Sequence, residues 1–313
     1  MTQREWTPLH PALLRRWPLP EVPEDADKEV RGRVLVVAGS HEIAGAALLA
    51  ATAALRAGAG KLVIATAQSV AGALALAVPE ARVIALPETQ RGAFSADGLA
   101  LLEDIAATTD AALVGPGLMD SAGTCEFVQA LLPALAHAPV VLDALAMDVV
   151  KQRGRFAQPV LLTPHAGEMA HLTGRSKDAV LADPQQAVVD AAEKWQALVA
   201  LKGATTLLAT PAGGCWRHEG GHPGLATSGS GDVLAGVIAG LAAQQVPLEQ
   251  ACAWGVVLHA MAGATLADRF GPTGYLAREL PAEIPALLRK LQARARPVPS
   301  RAAPDAAAAG LPE

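Results

Sequence analysis

The stretch that decides the fold runs from Leu225 to Gly240 and reads L-A-T-S-G-S-G-D-V-L-A-G-V-I-A-G. Small residues lead directly into an apolar run, so we expect a loop that turns at once into a buried helix. The first backbone N–H groups of a helix have no partner within it and carry the positive end of its dipole. They can therefore hold phosphate oxygens. Gly229 and Gly231 would let those oxygens approach the backbone closely.

Asp232 stands where this loop becomes the helix. In the positive field of a helix end its carboxylate is expected to be ionised, and it can accept a proton from a substrate hydroxyl or orient a metal ion. We therefore predict that Asp232 is catalytic. The alternative is that Asp232 only caps the helix, which is the commoner use of a Gly-Asp pair before an apolar run.

The length and composition favour one α/β domain. At 313 residues and 31.9 kDa the chain has room for one large domain or two small ones, and no linker interrupts residues 31–290. A hydrophobic fraction of 51% against 18% charged residues supplies a large core and excludes a disordered body. We expect a loosely packed N-terminal extension over 1–30, one domain over 31–295 and a disordered tail over 296–313.

Charge and cysteine content exclude several classes of protein. The net charge is −5 and no cluster of lysines and arginines occurs, so a nucleic-acid-binding surface is not expected. Cys125, Cys215 and Cys252 are far apart and odd in number, which indicates neither a disulfide framework nor a zinc site. No secretory signal and no membrane-spanning run are recognisable. We expect a soluble protein of the reducing cytoplasm that binds no membrane.

Short apolar runs alternate with Ala/Leu-rich helical segments from residue 33 to residue 202. This alternation predicts a central, mostly parallel sheet with helices on both faces. Two β-type runs on either side of residues 211–214 predict a small hairpin at one edge. Ligands are then expected at the carboxyl ends of the strands. The loops at those ends contain Gly39-Ser40, Gly115-Pro116-Gly117, Asp143, Thr163-Pro164-His165, Lys202-Gly203 and the Asp232 turn.

Two of these loops carry candidate ligand-binding side chains. Pro164 holds Thr163 extended, so His165 is placed on a short loop before a helix whose first turn contains Glu168. Its imidazole can donate a hydrogen bond to a ligand amide or phosphate, or it can merely cap the helix. Lys202 ends a buried strand, where its ammonium either reaches a phosphate or carboxylate or extends to water.

Two other motifs carry no such prediction. The segment His218-Glu219-Gly220-Gly221-His222 matches H-E-x-x-H, but its glycines and the Pro-Gly pair that follows favour a loop, and this zinc motif requires a helix. The segment Gly58-Ala59-Gly60-Lys61 lacks the upstream glycine and the Ser/Thr of a phosphate-binding loop. It is interpreted as the end of a helix.

The motifs taken together resemble one family. They are Gly39-Ser40 with Gly45-Ala46, the helix end at residues 55–60, V-G-P-G at 114–117, V-L-D at 141–143, L-T-P-H-A-G-E at 162–168, L-K-G-A-T-T at 201–206, A-T-S-G-S-G-D-V-L at 226–234 and L-H at 258–259. From about residue 30 to residue 290 the chain resembles the ADP/ATP-dependent NAD(P)H-hydrate dehydratases of the ribokinase-like superfamily. The combination of T-P-H-x-G-E with A-T-x-G-x-G-D-V-L is specific.

The resemblance implies an enzyme of nicotinamide nucleotide repair. Such an enzyme dehydrates (6S)-NADHX and NADPHX to NADH and NADPH at the expense of ADP or ATP, which ends as AMP or ADP plus phosphate. Asp232 would then take the proton of the 6-hydroxyl group, while the amides of residues 229–231 hold the transferred phosphoryl group. Mg²⁺ would neutralise the nucleotide phosphates. No residue is predicted to be a metal ligand.

Site residues follow from the resemblance position by position. The hydrated dinucleotide would contact Ala46, Gly117, His165 and Asp232. The adenosine nucleotide would contact Lys202, Gly203, Ala204, Thr205, Thr206 and Gly231. Relatives commonly form tetramers, and many carry an N-terminal epimerase domain. Only about 30 residues precede the first predicted strand, so we expect epimerisation to come from a separate protein.

The chain departs from the family pattern in two places. Leu145 replaces the second aspartate of the usual L-D-A-D-A-L-N, and Ser228 and Ser230 stand where glycine and threonine are commoner. Two other functions are therefore kept open. One is a kinase of the same fold that phosphorylates hydroxymethylpyrimidine or hydroxyethylthiazole. The other is a nucleotide-binding module that has lost its catalytic activity.

Overall fold

The structure is a computed structural model that describes residues 4–21, 23, 27–152 and 154–293. The tail predicted over 296–313 lies outside the described residues. Within the described ranges, ten strands form one sheet. They are β1 (Thr7–Pro8), β2 (Arg33–Val37), β3 (Lys61–Ala67), β4 (Ala81–Leu86), β5 (Ala111–Val114), β6 (Val140–Leu142), β7 (Val160–Leu162), β8 (Leu198–Leu201), β9 (Thr205–Ala209) and β10 (Cys215–Glu219).

The strand order is β1-β10-β9-β8-β7-β6-β5-β2-β3-β4. Strands β2 to β8 run parallel to one another, whereas β9 and β10 form an antiparallel hairpin beyond β8 and β1 adds a short parallel strand outside it. The prediction of a mostly parallel sheet with a hairpin towards one edge is confirmed. The order reverses between β2 and β5, and a crevice opens at the carboxyl ends of such a strand pair.

Helices cover both faces of the sheet. They are α1 (Pro11–Arg16), α2 (Ala44–Arg56), α3 (Gln68–Ala77), α4 (Glu103–Ala106), α5 (Ser121–Leu131), α6 (Ala166–Thr173), α7 (Lys177–Ala182), α8 (Pro184–Trp195), α9 (Ser230–Ala242), α10 (Leu248–Phe270) and α11 (Leu280–Gln292). Short 3₁₀ turns lie at Ala96–Leu101, Leu132–Leu135, Ala144–Lys151, Pro223–Leu225 and Ala277–Glu279.

Alternate residues of β2 enter two separate hydrophobic cores. Val34 and Val36 pack towards α2, α9, α10 and α11, whereas Leu35 and Val37 pack towards α5, α6 and α8. Helix α10 is long and apolar enough to cross a membrane, but 78% of that apolar stretch is buried inside the fold, as in a core helix. The three cysteines are buried and free, in keeping with the absence of a predicted disulfide framework.

The N-terminal segment is held more firmly than predicted. Leu14 of α1 is fully buried, and the Trp17 ring stacks on Trp216 with 6.0 Å between the ring centroids. The Trp254 Nε1–H donates to the Trp17 carbonyl at 2.9 Å. The expectation of a loosely packed lead-in is therefore wrong for its described part. Its prolines and charges hid Leu14 as a core residue, and sequence does not show which surface this side chain will meet.

Helices α2 and α9 lie side by side and run in the same direction. A Cβ atom on Gly236 would stand 2.2 Å from the Ala50 carbonyl oxygen, and one on Gly240 would stand 2.4 Å from that of Ala54. The two glycines thus allow the helix backbones to approach closely. One turn earlier, the same register brings Ala46 level with Asp232.

We expect Gly236→Ala to lower the free energy of unfolding by about 2 kcal/mol, because the added methyl group must push the backbones of α2 and α9 apart. The higher helix propensity of alanine offsets about 1 kcal/mol of the strain. Gly72→Ala in α3 is the matched control, because a Cβ there meets no atom within 4 Å. It should leave stability unchanged or raise it slightly. Urea unfolding measures both, and equal results for the two variants would contradict the packing argument.

Candidate active site

Four charged side chains meet where the parallel strands end. Asp143 follows β6, Glu168 lies in the first turn of α6, Lys202 follows β8 and Asp232 is the third residue of α9. The Lys202 Nζ atom lies 2.9 Å from Asp143 Oδ1 and 3.8 Å from Glu168 Oε2. Asp232 is close enough to all three for their charges to shift its pKa. The structure therefore brings Asp232 and Lys202 together at the predicted edge of the sheet.

Asp232 is not the residue that caps α9. The N-cap is Gly229, whose φ is +88°, and no hydrogen bond to the Asp232 carboxylate is found within the described part of the chain. Burial first, and then the Asp143 charge, raise the pKa of Asp232 to about 6, while Lys202 opposes the rise. Burial thus opposes the field of the helix end, and with this pKa the carboxylate is still mainly ionised at pH 7. A carboxylate with this pKa can take a proton near pH 7.

His165 caps a helix, which is one of the two roles that the sequence left open. It caps α6 because its Nδ1 atom accepts hydrogen bonds from the backbone N–H groups of Gly167 and Glu168, at 2.9 and 3.1 Å. Glu168 returns a bond, accepting at 2.8 Å from the His165 N–H. Since Nδ1 accepts, the ring hydrogen sits on Nε2. The side chain is 60% exposed and Nε2 lies 3.7 Å from Glu168 Oε2, beyond hydrogen-bond distance, so this N–H can donate to a ligand.

Lys202 is bound to protein carboxylates rather than extended into water. Asp143 Oδ1 accepts both from Lys202 Nζ and from the Thr163 hydroxyl, the latter at 2.5 Å. Burial alone would lower the pKa of Lys202, but the charges of Asp143 and Glu168 outweigh it and raise the pKa. The ammonium therefore stays charged. Sequence placed Asp143 at this edge but assigned it no role, although an aspartate ending one buried strand and a lysine ending another form a natural pair.

A cavity of about 590 Å³ opens beside the cluster. Its lining includes His165, Lys202 and Gly231, further polar side chains such as His218, and apolar residues such as Leu225. A mostly apolar cavity of this size with a few polar groups suits a small ligand such as a nucleotide.

Most residues predicted to contact a nucleotide line this cavity. They are Lys202, Gly203, Ala204, Thr206 and Gly231. Thr205 is exposed and does not line it. Successive side chains of a strand point to opposite faces, so neighbouring residues of β9 cannot both face the cavity.

Ala46, which is 3% exposed, and Gly117 lie together at the carboxyl ends of β2 and β5, where the strand order predicts a crevice, and they do not line the cavity. Gly117 has a φ of +68°, and a Cβ atom there would stand 2.7 Å from Ala46 Cβ and 2.6 Å from the Ile43 carbonyl oxygen. Its loop is tied to the loop after β2, because the Gly39 N–H donates to the Pro116 carbonyl at 2.8 Å. The register of α2 and α9 connects this crevice to Asp232.

Comparison with known proteins identifies the family. The family model described as NAD(P)H-hydrate dehydratase matches residues 34–286. The chain belongs to this family. It is 48% identical over 280 residues to the ADP-dependent (S)-NAD(P)H-hydrate dehydratase of Xanthomonas campestris, a match that covers 90% of this chain and 95% of the relative.

Solved structures of the dehydratase family agree with this assignment. The ADP/ATP-dependent NAD(P)H-hydrate dehydratase of Bacillus subtilis, co-crystallised with ATP and Mg²⁺, superposes with a TM-score of 0.80 at 30% identity, covering 93% of this chain and 100% of that one. A bifunctional NAD(P)H-hydrate repair enzyme of Moorella thermoacetica is 41% identical over 278 residues. The match covers 88% of this chain but only 52% of that longer relative.

The departures from the family pattern leave the charged cluster intact. Leu145 is half-buried in the 3₁₀ turn Ala144–Lys151, and Asp143, Glu168 and Asp232 supply three carboxylates without it. Ser230 keeps a hydroxyl group at the start of α9.

A buried histidine, to which the sequence pattern had assigned no role, holds this serine. His259 Nε2 lies 3.0 Å from both the Oγ atom and the carbonyl oxygen of Ser230. Burial lowers the pKa of His259 to about 4, so the ring is neutral. The contact between α10 and the first turn of α9 therefore holds the backbone of Ser230 and Gly231, which line the cavity. The L-H pair in the sequence was the available signal.

Proposed function

We propose that this chain dehydrates (6S)-NADHX and NADPHX to NADH and NADPH, using ADP or ATP as the phosphoryl donor. The observation that carries the proposal is the position of Asp232, a carboxylate of raised pKa at the amino end of α9, beside a nucleotide-sized cavity. Family membership favours this reaction over a vitamin-precursor kinase of the same fold. The intact charged cluster argues against an inactive module.

The chemistry requires activation of a poor leaving group. Asp232 accepts the proton of the 6-hydroxyl group while that oxygen forms a bond to the terminal phosphorus of the nucleotide, and AMP or ADP leaves. The backbone N–H groups at the start of α9 stabilise the charge on the transferred phosphoryl group. The ring nitrogen then expels phosphate from C6. Loss of a proton from C5 restores the dihydropyridine.

The cavity and the crevice lie on either side of Asp232 in this proposal, and each is assigned one ligand. We assign the adenosine nucleotide to the cavity, with its phosphates directed to Gly231 and Lys202. The hydrated dinucleotide is assigned to the crevice at Ala46 and Gly117, with the Nε2–H of His165 as a donor to it. Asp232 stands at the junction, where a hydroxyl group and a terminal phosphate can meet.

The residues at this site fit a magnesium ion that binds together with the nucleotide phosphates. Among the described residues, no group of three or more His, Cys, Asp or Glu side chains is placed to hold a metal ion. Mg²⁺ is commonly held by substrate phosphates, water and one or two carboxylates. Glu168 and Asp232 would hold its water ligands, and the bound ion neutralises phosphate charge.

The finer expectations about the whole protein belong to the same proposal. They are a homotetramer, a cytoplasmic location and cooperation with a separate epimerase. The matched bifunctional enzymes, about twice as long as the dehydratase domain, support such a pairing of activities. Residues 31–295 would form the catalytic domain, preceded by an extension over 1–30 and followed by a tail over 296–313.

The proposal is tested by incubating the protein with NADHX and either ADP or ATP and following the absorbance of the reduced nicotinamide ring. Recovery that requires a nucleotide is expected. No recovery with either nucleotide would overturn the proposal. Phosphorylation of hydroxymethylpyrimidine or hydroxyethylthiazole instead would identify a kinase. Nucleotide binding without turnover of any substrate would identify an inactive module.

The raised pKa of Asp232 predicts the acid side of the pH profile. The reaction needs the ionised carboxylate, so kcat/KM should fall tenfold per pH unit below about pH 6, the pKa of Asp232. An unperturbed aspartate would place this fall near pH 4, its ordinary pKa. Initial rates between pH 4.5 and 8, with stability checked at each pH, locate the midpoint. A kcat/KM that is still undiminished at pH 5 would contradict the raised pKa of Asp232.

A further inference from the structure

We propose that His218 recognises the 6-amino group of adenine, so that the cavity selects adenine nucleotides over 6-oxopurine nucleotides. This inference rests on the proposed use of a nucleotide in that cavity. It assigns a specificity role to a residue of the rejected H-E-x-x-H motif.

His218 belongs to β10 and faces the cavity. It pairs with Thr206 of β9, and both residues line the cavity wall. Only 8% of His218 is exposed. Its Nδ1 atom lies 2.8 Å from the Leu9 carbonyl oxygen. A carbonyl oxygen can only accept, so Nδ1 carries the hydrogen and donates it.

The other ring nitrogen is left without a partner. In the neutral imidazole with the hydrogen on Nδ1, the Nε2 atom holds a lone pair. Nε2 is buried, and no group within the described ranges donates a hydrogen bond to it. A buried acceptor without a donor costs about 1–3 kcal/mol. A ligand that brings an N–H group to Nε2 recovers this energy.

Gly220 keeps a side chain away from the free nitrogen. A Cβ atom at this position would stand 2.7 Å from His218 Nε2 and would cover it. The neighbouring Gly221 also lines the cavity. Only the backbone of residue 220 therefore covers the lone pair, and this short glycine segment has to shift for a ligand N–H group to reach Nε2.

The rest of the cavity suits a purine ring with an exocyclic amine. Leu225, Leu234 and Val256 supply apolar walls, and the phosphate-binding end at Lys202 and Gly231 belongs to the same cavity. Adenine carries an amino group at C6, which donates. Guanine and hypoxanthine carry a carbonyl group there. Its oxygen is an acceptor, as is His218 Nε2, so no hydrogen bond can form between them. Sites that hydrogen-bond one partner reject analogues that lack it.

The N-terminal segment determines which nitrogen is free. Leu9 is held against β10 because its N–H donates to the Arg217 carbonyl at 2.7 Å. The stacking of Trp17 on Trp216 fixes the same segment two residues away along β10. The carbonyl that sets the tautomer of His218 is thus part of a rigid contact.

The matched variants are His218→Asn and His222→Asn. Asparagine at 218 keeps a donor near the position of Nδ1, for the Leu9 carbonyl, but places no acceptor at the position of Nε2. His222 lines the same cavity, and its Nδ1 accepts from the Gly224 N–H, a role that an asparagine oxygen can also fill. Calorimetry measures binding of ADP, IDP and purine riboside 5′-diphosphate, which lacks any group at C6.

The wild type and His222→Asn should bind ADP about tenfold more tightly than either analogue, a difference of about 1.4 kcal/mol. For His218→Asn the three ligands should agree within about threefold. Equal binding of all three by the wild type, or unchanged discrimination in His218→Asn, would overturn the inference. A wild type that recovers NADH with ADP but does not discriminate refutes only the role of His218. One that binds no adenine nucleotide refutes the proposed function itself.

A second readout needs no variant. In wild-type protein labelled with ¹⁵N-histidine, ADP should shift the signal of an unprotonated Nε2, because that atom gains a donor. Purine riboside 5′-diphosphate should leave it in place. An Nε2 signal that responds identically to both ligands would also overturn the inference.

Discussion

Asp232→Asn should lower kcat for NADHX dehydration about 1,000-fold, because asparagine cannot accept the proton of the 6-hydroxyl group and general-base catalysis is worth 10²–10⁴-fold. Binding of ADP should change by no more than a few fold, since the amides of α9 and the apolar walls of the cavity remain. Steady-state kinetics and calorimetry measure the two effects separately. A variant that keeps the wild-type rate would remove Asp232 from the mechanism.

The stability of the same variant distinguishes a lost base from a damaged fold. The folded-state pKa of Asp232 is about 6, above the ordinary value of 3.8. Protonation therefore favours the folded state, and this stabilisation is complete below about pH 4 and is lost as the pH rises through about 6. At pH 8 the uncharged asparagine should make the variant more stable by about 1–2 kcal/mol. Urea unfolding at pH 8 measures the change, and an inactive variant that is also less stable would point to misfolding.

Lys202→Met should lower the free energy of unfolding by about 3 kcal/mol at pH 8, because it leaves a buried carboxylate without its counter-charge. The side chain of Asp143 is only 4% exposed and that of Lys202 18% exposed, so solvent screens the pair weakly. Lys177→Met in α7 is the control, because Lys177 is exposed. Adding Asp143→Asn to Lys202→Met should restore part of the loss. Equal stability of the two single variants would contradict the role of the pair.

The pH profile of Lys202→Met gives an independent check. Lys202 lowers the pKa of Asp232, whereas Asp143 and Glu168 raise it. Without the ammonium, the acid limb of kcat/KM should move above pH 6. A limb that stays in place would show that Lys202 does not act on Asp232.

The alternation of apolar runs and helical segments was enough to predict the class of the sheet. Buried parallel strands are continuous apolar runs, and their carboxyl ends share one edge. Side chains that follow these strands were therefore predicted to lie close together in the fold. They are those of Asp143, His165, Lys202 and Asp232. The N-terminal segment could not be placed in this way, because its strand and helix are stabilised by contacts with residues about 200 positions away.

By itself, the sequence determined the fold class, the family and the edge of the sheet at which Asp232, Lys202 and His165 meet, because local pattern and the geometry of parallel strands suffice for these. Only the tertiary structure decided that Lys202 is paired with Asp143, that burial raises the pKa of Asp232, and that the Leu9 carbonyl leaves one nitrogen of His218 free. These properties depend on desolvation and on distances between residues far apart in the chain, and no pattern of neighbouring residues encodes them.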